Sequence, residues 1–364
     1  MATNKNQHFV PRCYLKPFTL DENNQSISVF NLDRHRLIEK AAVKHQCSRS
    51  YFYGKDPKLE EALQLMERTY AQAIRLIGEE GYSLTEEHDS ILKRFWLLQY
   101  LRTEAASRRA VEMSSELRST AGADASFQLE VREAVTIAMQ TFAECIDIVS
   151  DLRSCLVKNA TNVPFVTSDD PAVLANRWFQ ADSRYRGEAF GLRSAGDIIL
   201  LPISPRLMFI AYDHNVYSIP KSNSWVRIKN PEEIRMLNQH QYLNCRANIF
   251  PSPSLDERTL IKDANEFCGF RVSPRHALHY AVLDQVDGEF KRYRVIESPQ
   301  SEGHSEAIIH MQTVFPIPNG WPNFIRWKRN GFGMSNGTGI GCVRRDSLTP
   351  GDGEDFAKVY ARRC

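Results

Sequence analysis

The sequence has no C-x-x-C pair, no surplus of charge of one sign, and no apolar run near the roughly 18 residues that a membrane span requires. Eight cysteines (Cys13, Cys47, Cys145, Cys155, Cys245, Cys268, Cys342 and Cys364) are scattered along the chain. That excludes a zinc ribbon and a redox pair and predicts buried or idle thiols. The opening MATNKNQHFVPRCY shows no basic segment ahead of an apolar one, so the expected setting is the cytoplasm, with no membrane partner. Forty-six Lys and Arg face forty-four Asp and Glu, a formal +2, so any basic site must be local. Nucleophile elbow, zincin helix and kinase set are all missing. The glycine-rich Gly331 to Gly341 segment lacks the P-loop lysine and reads as a flexible loop, and His276 and His279 have helical spacing but no glutamate base beside them.

What is present supports a folded protein: 364 residues, 42% of them hydrophobic, supply ample core. Pro57 starts a helix carrying Leu59, Leu63, Met66, Tyr70, Ile74 and Ile77, which Gly78 and Gly81 end. Thr85 caps a second, with Ile91, Phe95, Leu98 and Leu101 as its apolar stripe. A third is read from Val131 through Leu156, with the loop between the last two at Gly122 to Ala125. A first strand is read at Ser26 to Asn31, and from Pro164 short β-like runs follow at 164–167, 198–201, 207–211 and 216–219. Helices near 231–238 and 255–266 come next, then a hairpin around Asp287 and Gly288. The expectation is an α+β fold, a helical layer packed with a mostly antiparallel or mixed sheet. Its core domain spans 1–266, with a small, loop-rich C-terminal appendage at 267–364.

Three groups of polar residues need a reason. Arg102 falls within the apolar stripe of the second helix with Gln99 beside it, and an unpaired arginine there would cost several kcal/mol. Glu60 and Glu67, seven residues apart on one flank of the first helix, are the candidate partners. The plain reading is an ion pair that fixes helix packing; the functional one is a cluster facing substrate. Thr167, Ser168, Asp169, Asp170 and Pro171 follow a β-like run, where carboxylates can hold a metal or accept a proton, or merely build an Asx-turn. The segment from Gln7 to Phe18 mixes His8 and Arg12 with aromatics so close to the terminus that it must pack on something, and the Asp169 turn is the expected surface.

Together these segments resemble the bacterial family called domain of unknown function 4238. Its members open with a His-x-x-Pro-x-x-Tyr-Leu-x-x-Phe pattern, here His8, Pro11, Tyr14, Leu15 and Phe18. Later they carry Thr-Ser-Asp-Asn-Pro, here with Asp170 in place of the Asn. Tyr51 to Tyr53, Glu60 with Glu67, Gln99 with Arg102, and Leu237 with Asn238 are further matching pieces within residues 7 to 252. The resemblance implies a component of bacterial defence against phage and supplies no mechanism. It gathers His8, Glu60, Glu67, Gln99, Arg102 and Asp169 into one expected site.

Two functions compete. In the first, Glu60, Glu67 and Asp169 hold a divalent metal such as Mg, His8 is general base or extra ligand, and Arg102 meets phosphate in RNA or DNA. That would make the chain a nuclease or phosphodiesterase. In the second, the cluster is structural and the chain is a non-enzymatic sensor that recognises a phage protein or other component. The tail adds Arg326, Lys328 and Arg329 around Trp327, with Trp321 close by, a pattern suited to phosphate contact and base stacking. Packed rings with solvated charges are its plainer outcome.

Overall fold

Asp56 and Thr85 begin the helical layer. The Asp56 carboxylate accepts from the amide of Lys58 to open the Pro57–Ile77 helix, and Thr85 Oγ1 accepts from His88 to open Glu86–Arg102. These helices are coupled where Tyr70 stacks on Phe95 with ring centroids 3.6 Å apart. The structure, a computed structural model, describes residues 5–20, 23–121, 128–185, 187–297, 305–338, 340–348 and 355–362. The loop expected at Gly122 to Ala125 lies outside them.

The Glu86–Arg102 helix is not the one-sided element its stripe suggested. Leu92, Lys93, Phe95, Trp96, Leu97, Leu98, Gln99 and Arg102 are all buried, because the helix runs between its neighbours and a sheet. Trp96 donates its indole N–H to the carbonyl of Leu200 in that sheet. At Thr103 the chain turns to ψ 156° and a new helix, Glu104–Ala121, begins. The hydroxyl of Thr103 accepts from the amide of Ala106 and donates to Asp170. The next helix, Val131–Glu144, ends well before the expected limit, and Arg153–Asn159 is a strand with Cys155, Leu156 and Val157 buried. An apolar run of this length fits either element, and pairing with a neighbouring strand decides it.

That strand belongs to a five-stranded sheet in the order Trp225–Ile228, Arg153–Asn159, Leu207–Tyr212, Asp197–Ser204, Val173–Asn176. The first pair is parallel and the others antiparallel. A second, antiparallel sheet runs Arg36–Ala42, Ser26–Asn31, Asn248–Phe250, Thr167–Ser168. The short 169–172 turn therefore passes from one sheet to the other. The Pro231–Asn244 helix lies over this junction, where Gln241 bonds Ser168 and the carbonyl of Pro171. The fold is α+β.

Residues 267–364 divide between a sheet of their own and strands that join the main body. His276–Asp287 pairs with Phe290–Ile296 and Ala307–Thr313 in a three-stranded sheet that leaves Phe290 83% exposed. His276 thus lies on a strand and not on a helix. Later residues return to the main body: Arg326–Trp327 pairs with Tyr217–Ser218, and Phe324, Ile325 and Cys342 sit in the principal core. Part of the glycine-rich segment is held in regular structure. Phe332–Ser335 is a strand, and a Cβ on Gly333 would collide with Ala195 and Cys342, so that glycine serves close packing and not phosphate. Among the described residues, no helix is long and apolar enough to cross a membrane.

Candidate functional site

Arg102 has the carboxylate partner its position demanded. Its Nη2 reaches Glu67 Oε1 at 3.0 Å and its Nε donates to the carbonyl of Phe9 at 3.1 Å. The Gln99 side-chain oxygen accepts from both nitrogens, at 3.1 Å and 2.8 Å. Glu60 is not part of this group: it lies two turns earlier and bonds Gln64 on the same helix. His8 is close enough for the Arg102 charge to act on it. Burial first, then Arg12 and Arg102, lower the imidazole below its ordinary pKa, so His8 is neutral near pH 7. Both His8 Nε2 and Arg102 Nη1 are buried without a partner among the described residues. Arg102 is wholly buried.

The 169–172 turn is a second, separate polar centre. Asp169 accepts from three successive amides, Arg246 at 2.8 Å, Ala247 at 3.1 Å and Asn248 at 2.9 Å, because the Asn248–Phe250 strand pairs beside it. Burial pushes its carboxyl up to about 6 against the pull of those amides. Asp170, the departure from the family pattern, is buried too and carries its own compensation. Its oxygens take Thr103 Oγ1 and Arg109 Nη1, each at 2.7 Å. The N-terminal segment packs on the strand that leads into this turn: the Tyr14 hydroxyl lies 2.7 Å from Thr167 Oγ1 and donates to the carbonyl of Pro202. Phe9 and Asp169 line one cavity of about 210 Å³, shared with Arg49, Glu104 and Arg246.

The expected metal triad is not assembled. Glu67 faces Arg102, Glu60 faces Gln64, and Asp169 is occupied by backbone amides. Among the described residues, no group of three or more His, Cys, Asp or Glu side chains is placed to hold a metal ion. The six expected site residues thus divide between the Arg102 group, the Asp169 turn and an outlying Glu60. In the tail, the rings turn inward while the charges stay out. Trp327 packs on Tyr217 at 5.1 Å with Arg177 over it, and Trp321 packs on His240 at 4.9 Å. Arg326, Lys328 and Arg329 are exposed. Trp321 and Trp327 are half-buried against the core.

Two features escaped the sequence. One is Arg344, almost fully buried and bonded to Asp151, Asp197 and the carbonyls of Ile148 and Leu192. The other is a set of arginines behind the Asp170 turn, Arg109, Arg246, Arg271 and Arg275, which line one cavity with Arg108. They come from three stretches of chain and share no spacing that would single them out.

A chain built this way, an α+β body whose marked residues gather around a turn between two sheets, belongs to a family defined by sequence and not yet by chemistry. The family described as "Protein of unknown function (DUF4238)" matches residues 6–254, and the chain is a member of it. No significant match was found among curated proteins or solved structures.

Proposed function

We propose that the chain is a recognition protein of bacterial anti-phage defence that works in the cytoplasm by binding a phage component, and is not a metal-dependent nuclease. The observation supporting the mode of action is the dispersal of Glu60, Glu67 and Asp169 into three separate environments, each carboxylate already bonded. Metal-assisted phosphodiester cleavage needs such ligands converged within one coordination sphere. The sealed Arg102 adds to this, since a catalytic guanidinium must reach its phosphate. The defence setting rests on the family resemblance alone.

The purified protein, incubated with Mg or Mn and with DNA, RNA or transfer RNA, should give no cleavage above the blank, and Asp169→Ala should behave the same. Metal-dependent cleavage abolished by Asp169→Ala would restore the nuclease reading. Phage plating efficiency on cells carrying the gene tests the other half: unchanged plating across a phage panel would overturn the defence role.

A further inference from the structure

Behind the Asp170 turn, the first turns of the Glu104–Ala121 helix, the end of the Pro231–Asn244 helix and the 271–275 segment enclose a cavity of about 190 Å³. Five arginines line it, with Glu112 as the sole acidic residue in the lining. Two of the five are already neutralised: Arg108 reaches Glu104 at 2.8 Å and Arg109 reaches Asp170 at 2.7 Å. The remaining three, Arg246, Arg271 and Arg275, have no carboxylate within ion-pair distance among the described residues. Arg271 bonds the carbonyls of Cys245 and Arg246 and the Cys245 sulfur, and lies against the Cys268 thiol.

Arg275 is the most telling. One end of its guanidinium donates to Asn244 Oδ1 at 2.9 Å, while its Nε is buried and has no partner among the described residues. Burial, and then the charge of Arg109, pull its pKa down to about 10. Arg109 lies near enough to repel the Arg275 charge, with Asp170 offsetting part of that repulsion, and an anion entering beside Arg275 would offset the rest. Next to it, and sharing Arg109 and Arg275, lies a second cavity of about 260 Å³ whose walls are mainly apolar, including Ala106, Ala110 and Met113. Taken together, the two have the size of a small-molecule site, on the order of 300–1,000 Å³.

We propose that this pair of cavities binds a small phosphate ester, its phosphate held by Arg246, Arg271 and Arg275 and its apolar body lying along Ala106, Ala110 and Met113. Guanidinium forks match the oxygens of a phosphate, and three of them suit a dianion with three free oxygens better than a carboxylate, which one fork satisfies. The start of the Glu104–Ala121 helix beside the cavity favours negative charge as well. The site is separate from the Arg102 group, and it does not rest on the defence reading.

Calorimetric titration of the full chain with phenyl phosphate, inorganic phosphate and phenol tests it. Phenyl phosphate should bind, inorganic phosphate at least about tenfold more weakly, and phenol not detectably. Arg275→Gln and Arg246→Gln should each lower phenyl phosphate affinity by about tenfold or more, the effect expected of a lost charge-assisted bond. Arg246 is exposed, so that variant remains folded even if Arg275→Gln does not. No binding of phenyl phosphate at millimolar concentration, or unchanged affinity in Arg246→Gln, overturns the site. Equal affinity for inorganic phosphate overturns the ester. A 5′-phosphorylated oligonucleotide that displaces phenyl phosphate at lower concentration replaces the small molecule with a nucleic-acid end.

Discussion

Arg344 and Arg102 are both buried, yet the protein treats them differently. Every nitrogen of the Arg344 guanidinium is used: Nε and Nη2 grip Asp151, Nη1 grips Asp197 at 2.7 Å, and three carbonyls take the remaining donors. Arg102 has one carboxylate, Glu67, that is 27% exposed, and its Nη1 has no partner. The first centre is a clamp that fastens the returning tail to the main sheet. The second holds the first two long helices together and ties them to the N-terminal segment through Phe9, with one donor left over. A buried cation is therefore not one kind of object, and its worth depends on what its removal would strand.

The sharpest break of this comparison is Arg344→Met. It would strand Asp197, which is fully buried, and leave Asp151 without its partner, so the expected loss is about 3–5 kcal/mol of unfolding free energy at neutral pH. Burial already raises the Asp197 carboxyl above its ordinary value while Arg344 opposes the rise, so the loss should shrink in acid, where the carboxylates can protonate. Urea unfolding at two pH values reads both effects; a loss under about 1 kcal/mol would mean that Arg344 is not a clamp. Arg102→Met should cost less, about 2–3 kcal/mol, because water can reach the abandoned Glu67 and one donor was unsatisfied from the start. Equal losses would erase the distinction.

Asp169 sharpens the comparison from the side of the acids, since it is buried with amides and no cation. Its folded pKa is raised from 3.8 to about 6, so the folded state holds the proton more tightly than the unfolded chain. The stability this contributes is fully present below 3.8 and is lost as pH rises through about 6. Wild type should therefore lose about 3 kcal/mol of its advantage over Asp169→Asn across that interval, measured by unfolding at several pH values. An advantage that grows with pH would mean that the three amides outweigh burial.

The Arg102–Glu67 pair was legible because two local facts suffice: helical spacing puts both on apolar flanks, and an unpaired charge there is too costly. The break at Thr103 was not, since the apolar pattern runs on across it and the hydroxyl that fixes the turn is held by Asp170, 67 residues away. Asp169 could be read as a turn residue but not as an amide acceptor, because its donors lie at the start of a strand and in the two residues before it, 77 to 79 residues later. Arg344 is harder still, as its carboxylates come from 147 and 193 residues upstream. Strands, helices and the α+β class follow from periodicity; polar centres assembled across sheets do not.

The smallest effect is expected where the sequence raised the highest hopes of nucleic-acid contact. Arg326, Lys328 and Arg329 are exposed, and the tail is fastened by other means: Tyr217 pairs with Trp327, Lys328 donates its amide to Val216, and Phe324 and Ile325 are buried in the core. Reversing all three charges changes nothing that is buried, so unfolding free energy should move by no more than about 0.5 kcal/mol. The charges and the rings should also behave independently. Trp327 is engaged with Tyr217 and Arg177, which leaves less of its ring to pair with these cations around a base. Binding of single-stranded RNA or DNA by the charge-reversed variant should match that of the wild type, with the same salt slope. A weaker affinity and a flatter slope would mean that the exposed edge attracts phosphate by charge alone, without help from the rings.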